Sequence, residues 1–109
     1  MEHVSLAQLA QHHLEQARQA DNGKSVTTLH GSAALRQIML AFTSGNGLAE
    51  HPNPGEATLQ ILHGRAELAT ASQTWEGGVG DYLVIPYEPH NLTAVEDCVV
   101  MLTVAKKRE

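Results

Sequence analysis

The chain has a single cysteine, no long apolar run and fewer basic than acidic residues, and each of these shortages argues against a class of protein. Its single cysteine, Cys98, cannot form an internal disulfide, which predicts a reducing, cytoplasmic setting. No apolar run approaches the ~20 residues needed to cross a bilayer, so no membrane span is expected. The formal net charge of -5 at pH 7 argues against a nucleic-acid partner.

What is present suits one globular domain. The chain has 109 residues, of which 42% are hydrophobic and 17% charged, enough for a single modest core and too apolar for disorder. Cys98 lies in an apolar stretch, Cys98-Val99-Val100-Met101-Leu102-Thr103-Val104. A buried, unreactive thiol is therefore expected at this position.

Residues 1–23 predict an N-terminal helical extension. Ser5, with Gln8 three residues later, resembles a capping box, and Gly23 provides a stop. His12 and His13 cannot share one helix face and are interpreted as surface or edge residues. The apolar face is small, so it is expected to pack on the outside of the domain or on a partner subunit. Its residues recur at helical spacing: Leu6, Leu9, Ala10, His13, Ala17 and Ala20.

Residues 24–109 predict an all-β domain. Many short β-forming segments are separated by Gly- and Pro-containing turns, a pattern typical of an antiparallel sandwich or barrel. In one segment, alternation places Ala57, Leu59 and Ile61 on a single face. The predicted strands are residues 25–29, 35–42, 58–62, 65–71, 82–85, 91–95 and 99–104.

Two motifs resemble those of the cupins. Gly47, His51 and Gly64 occupy positions of the family's first motif, and Gly80-Asp81-Tyr82-Leu83-Val84-Ile85-Pro86-Tyr87-Glu88-Pro89-His90 is similar to the second, one residue short in the turn. The resemblance covers about residues 35–104. It is to the small single-domain, RmlC-like cupins with a type-2 conserved barrel, many of them uncharacterised. It implies a double-stranded β-helix (a jelly-roll barrel) with a site in its mouth, commonly as a homodimer.

The chain departs from the family pattern at the first motif. Asn53 stands where the second histidine is expected, and Ala57 stands where the glutamate is expected. Glu56 lies one residue early, and such an offset points a side chain to the other face of a strand. A bulge after Pro54-Gly55 would turn Glu56 inward.

The resemblance, together with these departures, implies a site in the barrel with fewer ligands than the family pattern has. The expected ligand-binding residues are His51, Asn53 and His90, and the candidate metal ligands are His51, His90 and Glu56. Two imidazoles and a carboxylate suit one divalent ion of Fe, Mn, Ni or Zn. A site without metal is the alternative.

Three functions remain open at this stage, and they leave enzyme activity undecided. The first is a small-molecule-binding cupin, and the second is a metal-dependent enzyme of the dioxygenase or isomerase type. The third is a metal-free sensing or structural module. An inward Glu56 would favour catalysis and an outward one binding, whereas a barrel filled by Leu59, Ile61 and Met39 would favour the third.

Residues near the motifs have weaker assignments. Tyr87 and Glu88 either rim the opening or form a solvated turn, and the turn is preferred. Arg36 and Gln37 open a strand whose alternate residues are candidates to face the cavity. Trp75 is interpreted as packing under a loop rather than contacting a ligand.

Overall fold

The computed structural model describes residues 1–52 and 55–105. Within them a helix is followed by antiparallel strands. The elements are α1 (Leu6–Gln19), β1 (Lys24–Gly31), β2 (Leu35–Phe42), β3 (Gly47–His51), β4 (Glu56–His63), β5 (Arg65–Thr70), β6 (Thr74–Gly78), β7 (Tyr82–Val84), β8 (His90–Ala94) and β9 (Cys98–Ala105).

The strands form two sheets that face each other in a jelly-roll arrangement. One sheet has the order β1-β2-β9-β4-β7 and the other has the order β3-β8-β5-β6. The chain therefore changes sheet repeatedly, and strands distant in sequence become neighbours. The all-β fold class with an N-terminal helix is confirmed.

The inner faces of both sheets bury one apolar core. Alternation along β4 turns Ala57, Leu59 and Ile61 inward, as the sequence predicts. Cys98 is fully buried in the same core. The other buried members are Leu40, Phe42, Ala66, Leu68, Ile85, Leu92, Ala94 and Val100.

Helix α1 packs on the outer face of the five-stranded sheet. Ser5 caps its N-terminus by accepting a hydrogen bond from the backbone N–H of Gln8, 3.3 Å away. Gly23 adopts a left-handed φ of 67° after the helix ends. A second buried cluster lies beneath the helix, with Ala10, Leu14 and Ala17 on one side and Met39, Ala41 and Val99 on the other.

This packing corrects two expectations, those for His13 and Met39. His13 is buried rather than superficial, and its Nδ1 lies 2.6 Å from Ser25 Oγ. The helix stripe packs on the outside of the domain, the first of the two expected alternatives, although Leu6 at its start is exposed. Met39 lies under the helix and does not fill the space between the sheets. The homodimer and the division at residues 23 and 24 stay predictions.

Two strands were not predicted, β3 and β6. Both are edge strands with a glycine in their sequence, which weakens the local β signal. Trp75 therefore lies in β6 rather than under a loop. In the part of the chain that the structure describes, no helix has the length and apolar character needed to cross a membrane.

Candidate functional site

His51 and His90 are direct neighbours across a strand pair. β3 pairs with β8, and His51 lies opposite His90 in the register. Their ring centroids are 4.5 Å apart, with an edge-to-face angle of 64°. The two motif histidines therefore come together in space.

A break in the register puts His51 in this position. Leu48 lies opposite Leu92, and regular pairing would then place Glu50 opposite His90. The register instead shifts between Leu48 and His51, so the histidine takes the inner position and Glu50 is exposed. A one-residue bulge is a known device for re-aiming a side chain next to a site.

Both imidazoles are held in the same way. Nδ1 of His51 lies 2.9 Å from the carbonyl oxygen of Ala49, and Nδ1 of His90 lies 3.1 Å from that of Glu88. Since a carbonyl oxygen only accepts, Nδ1 of each ring carries the proton and donates it. In a neutral imidazole the lone pair then resides on Nε2.

The Nε2 atoms are open. Neither makes a hydrogen bond with a described residue, yet no buried polar side-chain atom of residues 1–52 and 55–105 lacks a partner. Although His90 is only 4% exposed, its Nε2 must therefore face space that water can reach. With respect to residues 1–52 and 55–105, the pair presents two free acceptors.

A small chamber adjoins the pair. Its volume is about 20 Å³, which is room for one water molecule or a group of that size. The interior of the sandwich is therefore nearly filled around the histidines. Besides the two histidines, the described residues that form its walls are apolar: Leu40, Leu48, Leu59, Leu68, Ile85, Leu92 and Leu102.

Two adjacent rows of side chains on the inner face of the four-stranded sheet form this region. The row with the histidines runs His51–His90–Thr70 across β3, β8 and β5. The hydroxyl of Thr70 is engaged by the adjoining hairpin turn, where it accepts from the backbone N–H groups of Ser72 and Gln73. The next row is apolar and runs Leu48–Leu92–Leu68–Trp75.

A larger groove lies at the Trp75 end of the apolar row, between edge strands β6 and β7. Its volume is about 230 Å³. Leu68 lines both this groove and the chamber at the histidines. The lining residues are Leu68, Thr70, Gln73, Thr74, Trp75, Leu83, Val84 and Pro86.

The other predicted ligands are not assembled around the histidines. Glu56 is exposed and alternates with the inward residues of β4, so its carboxylate lies on the outer face. The inward turn that a metal ligand needs is not seen, because the strand keeps its regular alternation from Glu56 onward. Asn53 lies outside the described residues.

The remaining candidates have structural positions. The Glu88 carboxylate accepts a hydrogen bond from Ser72 Oγ at 3.0 Å, and the Glu88 backbone carbonyl accepts one from His90 Nδ1. Tyr87 is exposed, consistent with the solvated turn. The side-chain amide of Gln37 reaches Thr103 Oγ1 at 3.4 Å on the outer face, and Arg36 is exposed. Neither lines the chamber.

The donor set matches a metal ion only in part. The two Nε2 atoms suit one, and histidine ligands commonly donate their other N–H to a carbonyl, as both rings do here. Among the described residues, however, no three His, Cys, Asp or Glu side chains gather into a metal-binding group. The match is therefore partial, because the described residues supply two histidine ligands and no third one.

Sequence reasoning did not assign a site role to Leu68 or Trp75. Leu68 reads as an ordinary strand residue, and its place between two cavities follows from the pairing of β5 with both β6 and β8. One sequence feature does point to a site role for Trp75. It is the chain's only tryptophan, and large aromatic side chains commonly line ligand pockets.

Solved structures provide the comparison with known proteins. A conserved protein of unknown function from Streptococcus pyogenes is 28% identical, with a TM-score of 0.74, over 83% of this chain and 80% of that one. An RmlC-like cupin from Desulfovibrio desulfuricans is 27% identical, with a TM-score of 0.67, over 75% of this chain and 81% of that one.

A more distant structure matches the whole fold. A cupin superfamily protein from Desulfitobacterium hafniense is 18% identical, with a TM-score of 0.80, over 97% of this chain and 92% of that one. At this identity the likeness concerns the fold alone. No family model matches the chain, and no curated protein matches it.

Proposed function

Because the chain is a small cupin-domain protein, we propose that it binds a small molecule through Nε2 of His51 and His90. One observation carries the proposal. Both rings donate Nδ1–H to a backbone carbonyl, which fixes their orientation and leaves two neighbouring acceptors beside a small chamber.

The size of the chamber defines what the histidines hold. About 20 Å³ admits one heavy atom with its hydrogens. The bound molecule therefore contacts the histidines with one small group, and its body lies outside the chamber. Asn53 remains a predicted additional contact.

The exposed Glu56 favours binding over catalysis. A dioxygenase- or isomerase-type site was expected to need this carboxylate beside the imidazoles. Because Glu56 lies on the outer face of β4, the two histidines have no general acid or base from this residue. The homodimer and the cytoplasmic location are retained as parts of the proposal on the strength of the sequence.

Imidazole nitrogen NMR tests the proposed site. Fragments bearing hydroxyl, amide or carboxylate groups are titrated into ¹⁵N-labelled protein, and at least one is expected to shift the Nε2 signals of His51 and His90. The exposed His63 is the control in the same spectrum. Assignments come from His51→Asn and His90→Asn, since asparagine keeps an N–H donor but lacks Nε2. If no fragment moves either nitrogen, the proposal is wrong.

A divalent metal ion is a second candidate occupant. It is favoured by the backbone hydrogen bonds of both Nδ1 atoms, the arrangement that orients histidine ligands. His51 and His90 would hold the ion, which would act as a Lewis acid toward a ligand oxygen.

Elemental analysis tests the second candidate. Protein purified without a metal-affinity tag is compared with a His51→Asn/His90→Asn variant. Near-stoichiometric metal that is lost in the variant supports a metal site. Equal, trace metal in both, after incubation with Fe(II), Mn, Ni and Zn, contradicts it.

A further inference from the structure

We propose that the groove beside Trp75 receives the body of the bound molecule, and that this molecule is a small uncharged ring carrying a hydroxyl group, of which phenol is the simplest example. The inference rests on the proposed function, because it assigns the hydroxyl to His51 and His90. It goes further by naming a second part of the site and the class of ligand.

The lining of the groove selects an uncharged body. Among the residues that the structure describes, no Asp, Glu, Lys, Arg or His contributes to its walls. Leu68, Leu83, Val84 and Pro86 supply apolar surface, and the polar residues of the lining, Thr70, Gln73 and Thr74, are uncharged. A charged molecule would lose hydration in this groove without gaining a partner of opposite charge.

Trp75 selects a flat body. The indole forms part of the groove wall, and aromatic rings prefer stacked or edge-to-face neighbours. The volume of about 230 Å³ is below the range of typical drug-sized pockets. A single ring with few substituents is therefore the appropriate occupant.

The histidines select a hydrogen-bond donor. Nε2 of each neutral ring accepts and does not donate, so a carboxylate or carbonyl oxygen would face an acceptor. An ammonium group would donate, but its charge would be buried among leucines. A hydroxyl supplies one neutral donor on one heavy atom, which matches the size of the chamber, and it donates to one of the two Nε2 atoms at a time.

Leu68 connects the two parts. It lies opposite Trp75 on β6 and opposite Leu92 on β8, and it lines both cavities. Its side chain therefore borders both spaces, and the proposal treats it as the partition between them. The hydroxyl of a ring in the groove reaches the histidines only when this side chain moves aside.

Fluorescence of the single tryptophan provides a direct readout. Phenol and anisole are titrated separately with excitation at the red edge of tryptophan absorption. Anisole has the same ring but no O–H to donate. In the wild type, both are expected to change Trp75 emission, and phenol alone is expected to shift the imidazole Nε2 signals of His51 and His90.

The same titrations in His51→Asn/His90→Asn measure the contribution of the hydroxyl. Phenol is expected to bind roughly 3- to 10-fold more weakly than to the wild type, the loss expected for one neutral hydrogen bond. Anisole is expected to change by less than about twofold. Leu68→Ala, which removes the partition, is expected to bind phenol more tightly than the wild type.

The inference is overturned if phenol and anisole lose affinity equally in the histidine variant, or if neither changes Trp75 emission in the wild type. It also fails if phenol leaves both Nε2 signals unmoved, a measurement that needs no variant to fold. If other fragments still move those signals, the proposed function stands and only the assignment of the groove and ligand class is wrong.

Discussion

Cys98 shows how burial controls the chemistry of a single residue. Its side chain is fully buried, and desolvation, with smaller contributions from Asp97 and Glu96, raises the pKa of the thiol to about 12. The thiolate is the reactive form, so almost none is present near neutral pH.

We expect Cys98 to resist alkylation in the folded protein. Native chain incubated with iodoacetamide near pH 8 should remain almost unmodified by mass spectrometry, and chain in denaturant should gain one adduct. Rapid modification of the native chain at the rate of free cysteine would contradict the buried position.

Gly77 makes room for the indole of Trp75. A Cβ at this position would collide with Cη2 and Cζ2 of the indole ring, whereas a Cβ at Gly31 would meet only Thr28 Cγ2 at 3.7 Å. We expect Gly77→Ala to displace the indole and to reduce the free energy of unfolding by about 1–3 kcal/mol. Gly31→Ala is the matched control.

Two measurements check this prediction. Trp75 emission should shift in Gly77→Ala and not in Gly31→Ala, and urea unfolding should show the loss of stability in the first variant alone. Equal behaviour of the two variants would mean that the indole does not depend on the missing side chain.

At the scale of elements, Asp97 ties the helix to two turns. Its Oδ1 accepts from the backbone N–H of Ser44 at 2.9 Å, and its Oδ2 accepts from Arg18 Nε at 2.9 Å. The carboxylate therefore joins the C-terminal end of α1 to the turns before β3 and β9. These hydrogen bonds, first that of Ser44 and then that of Arg18, lower the pKa of Asp97.

The two contacts of Asp97 differ in strength. Arg18 and Asp97 form a partly exposed surface ion pair, and such pairs contribute about 0–1 kcal/mol to stability. The backbone contact with Ser44 adds a charge-assisted hydrogen bond. We expect Asp97→Ala to cost about 1–2 kcal/mol and Arg18→Ala less than half of that, as measured by urea unfolding. A larger loss for Arg18→Ala would reverse this order.

Across the whole molecule, stability should fall in two steps as the pH is lowered. Burial, followed by the effect of His12, lowers the pKa of His13, and hydrogen bonding lowers that of Asp97. In both cases the unfolded state binds more protons than the folded state over the interval between the two pKa values, so acidification favours unfolding.

The first step should begin near the ordinary imidazole value of about 6.5 and the second near the ordinary aspartate value of about 3.9. Urea unfolding at a series of pH values measures both. His13→Asn, which keeps an N–H donor for Ser25 but does not titrate, should lose the upper step alone. Persistence of that step would assign it to another group.

The jelly-roll arrangement also explains why the site is small. Inner residues from both sheets meet around the histidines and leave only about 20 Å³, whereas the gap between edge strands β6 and β7 leaves about 230 Å³. A metal-free sensing or structural module was expected to have an interior filled so completely that no cavity remains, and the interior here is only nearly filled. The open Nε2 atoms and the adjoining groove instead favour binding.

The amino-acid sequence by itself determined the features that depend on neighbouring residues. Ser5 and Gly23 mark the ends of the helical segment, alternation orients Ala57, Leu59 and Ile61, and the glycine and proline turns separate most strands. Capping, side-chain period and turn conformation act over a few residues, so they can be read from local pattern. The motif positions of His51 and His90 also came from the sequence, through the resemblance.

Only the tertiary structure decided features that depend on contacts between distant segments. Pairing of β3 with β8 and its register shift bring His51, rather than Glu50, opposite His90. Packing of α1 on the sheet buries His13, and the position of Leu68 between two cavities depends on both neighbours of β5. Glu56 was left open by the sequence because a bulge or regular pairing would place it on opposite faces. The pairing of strands that are distant in sequence decides between these two faces, and the energy of that pairing cannot be read from a local sequence pattern.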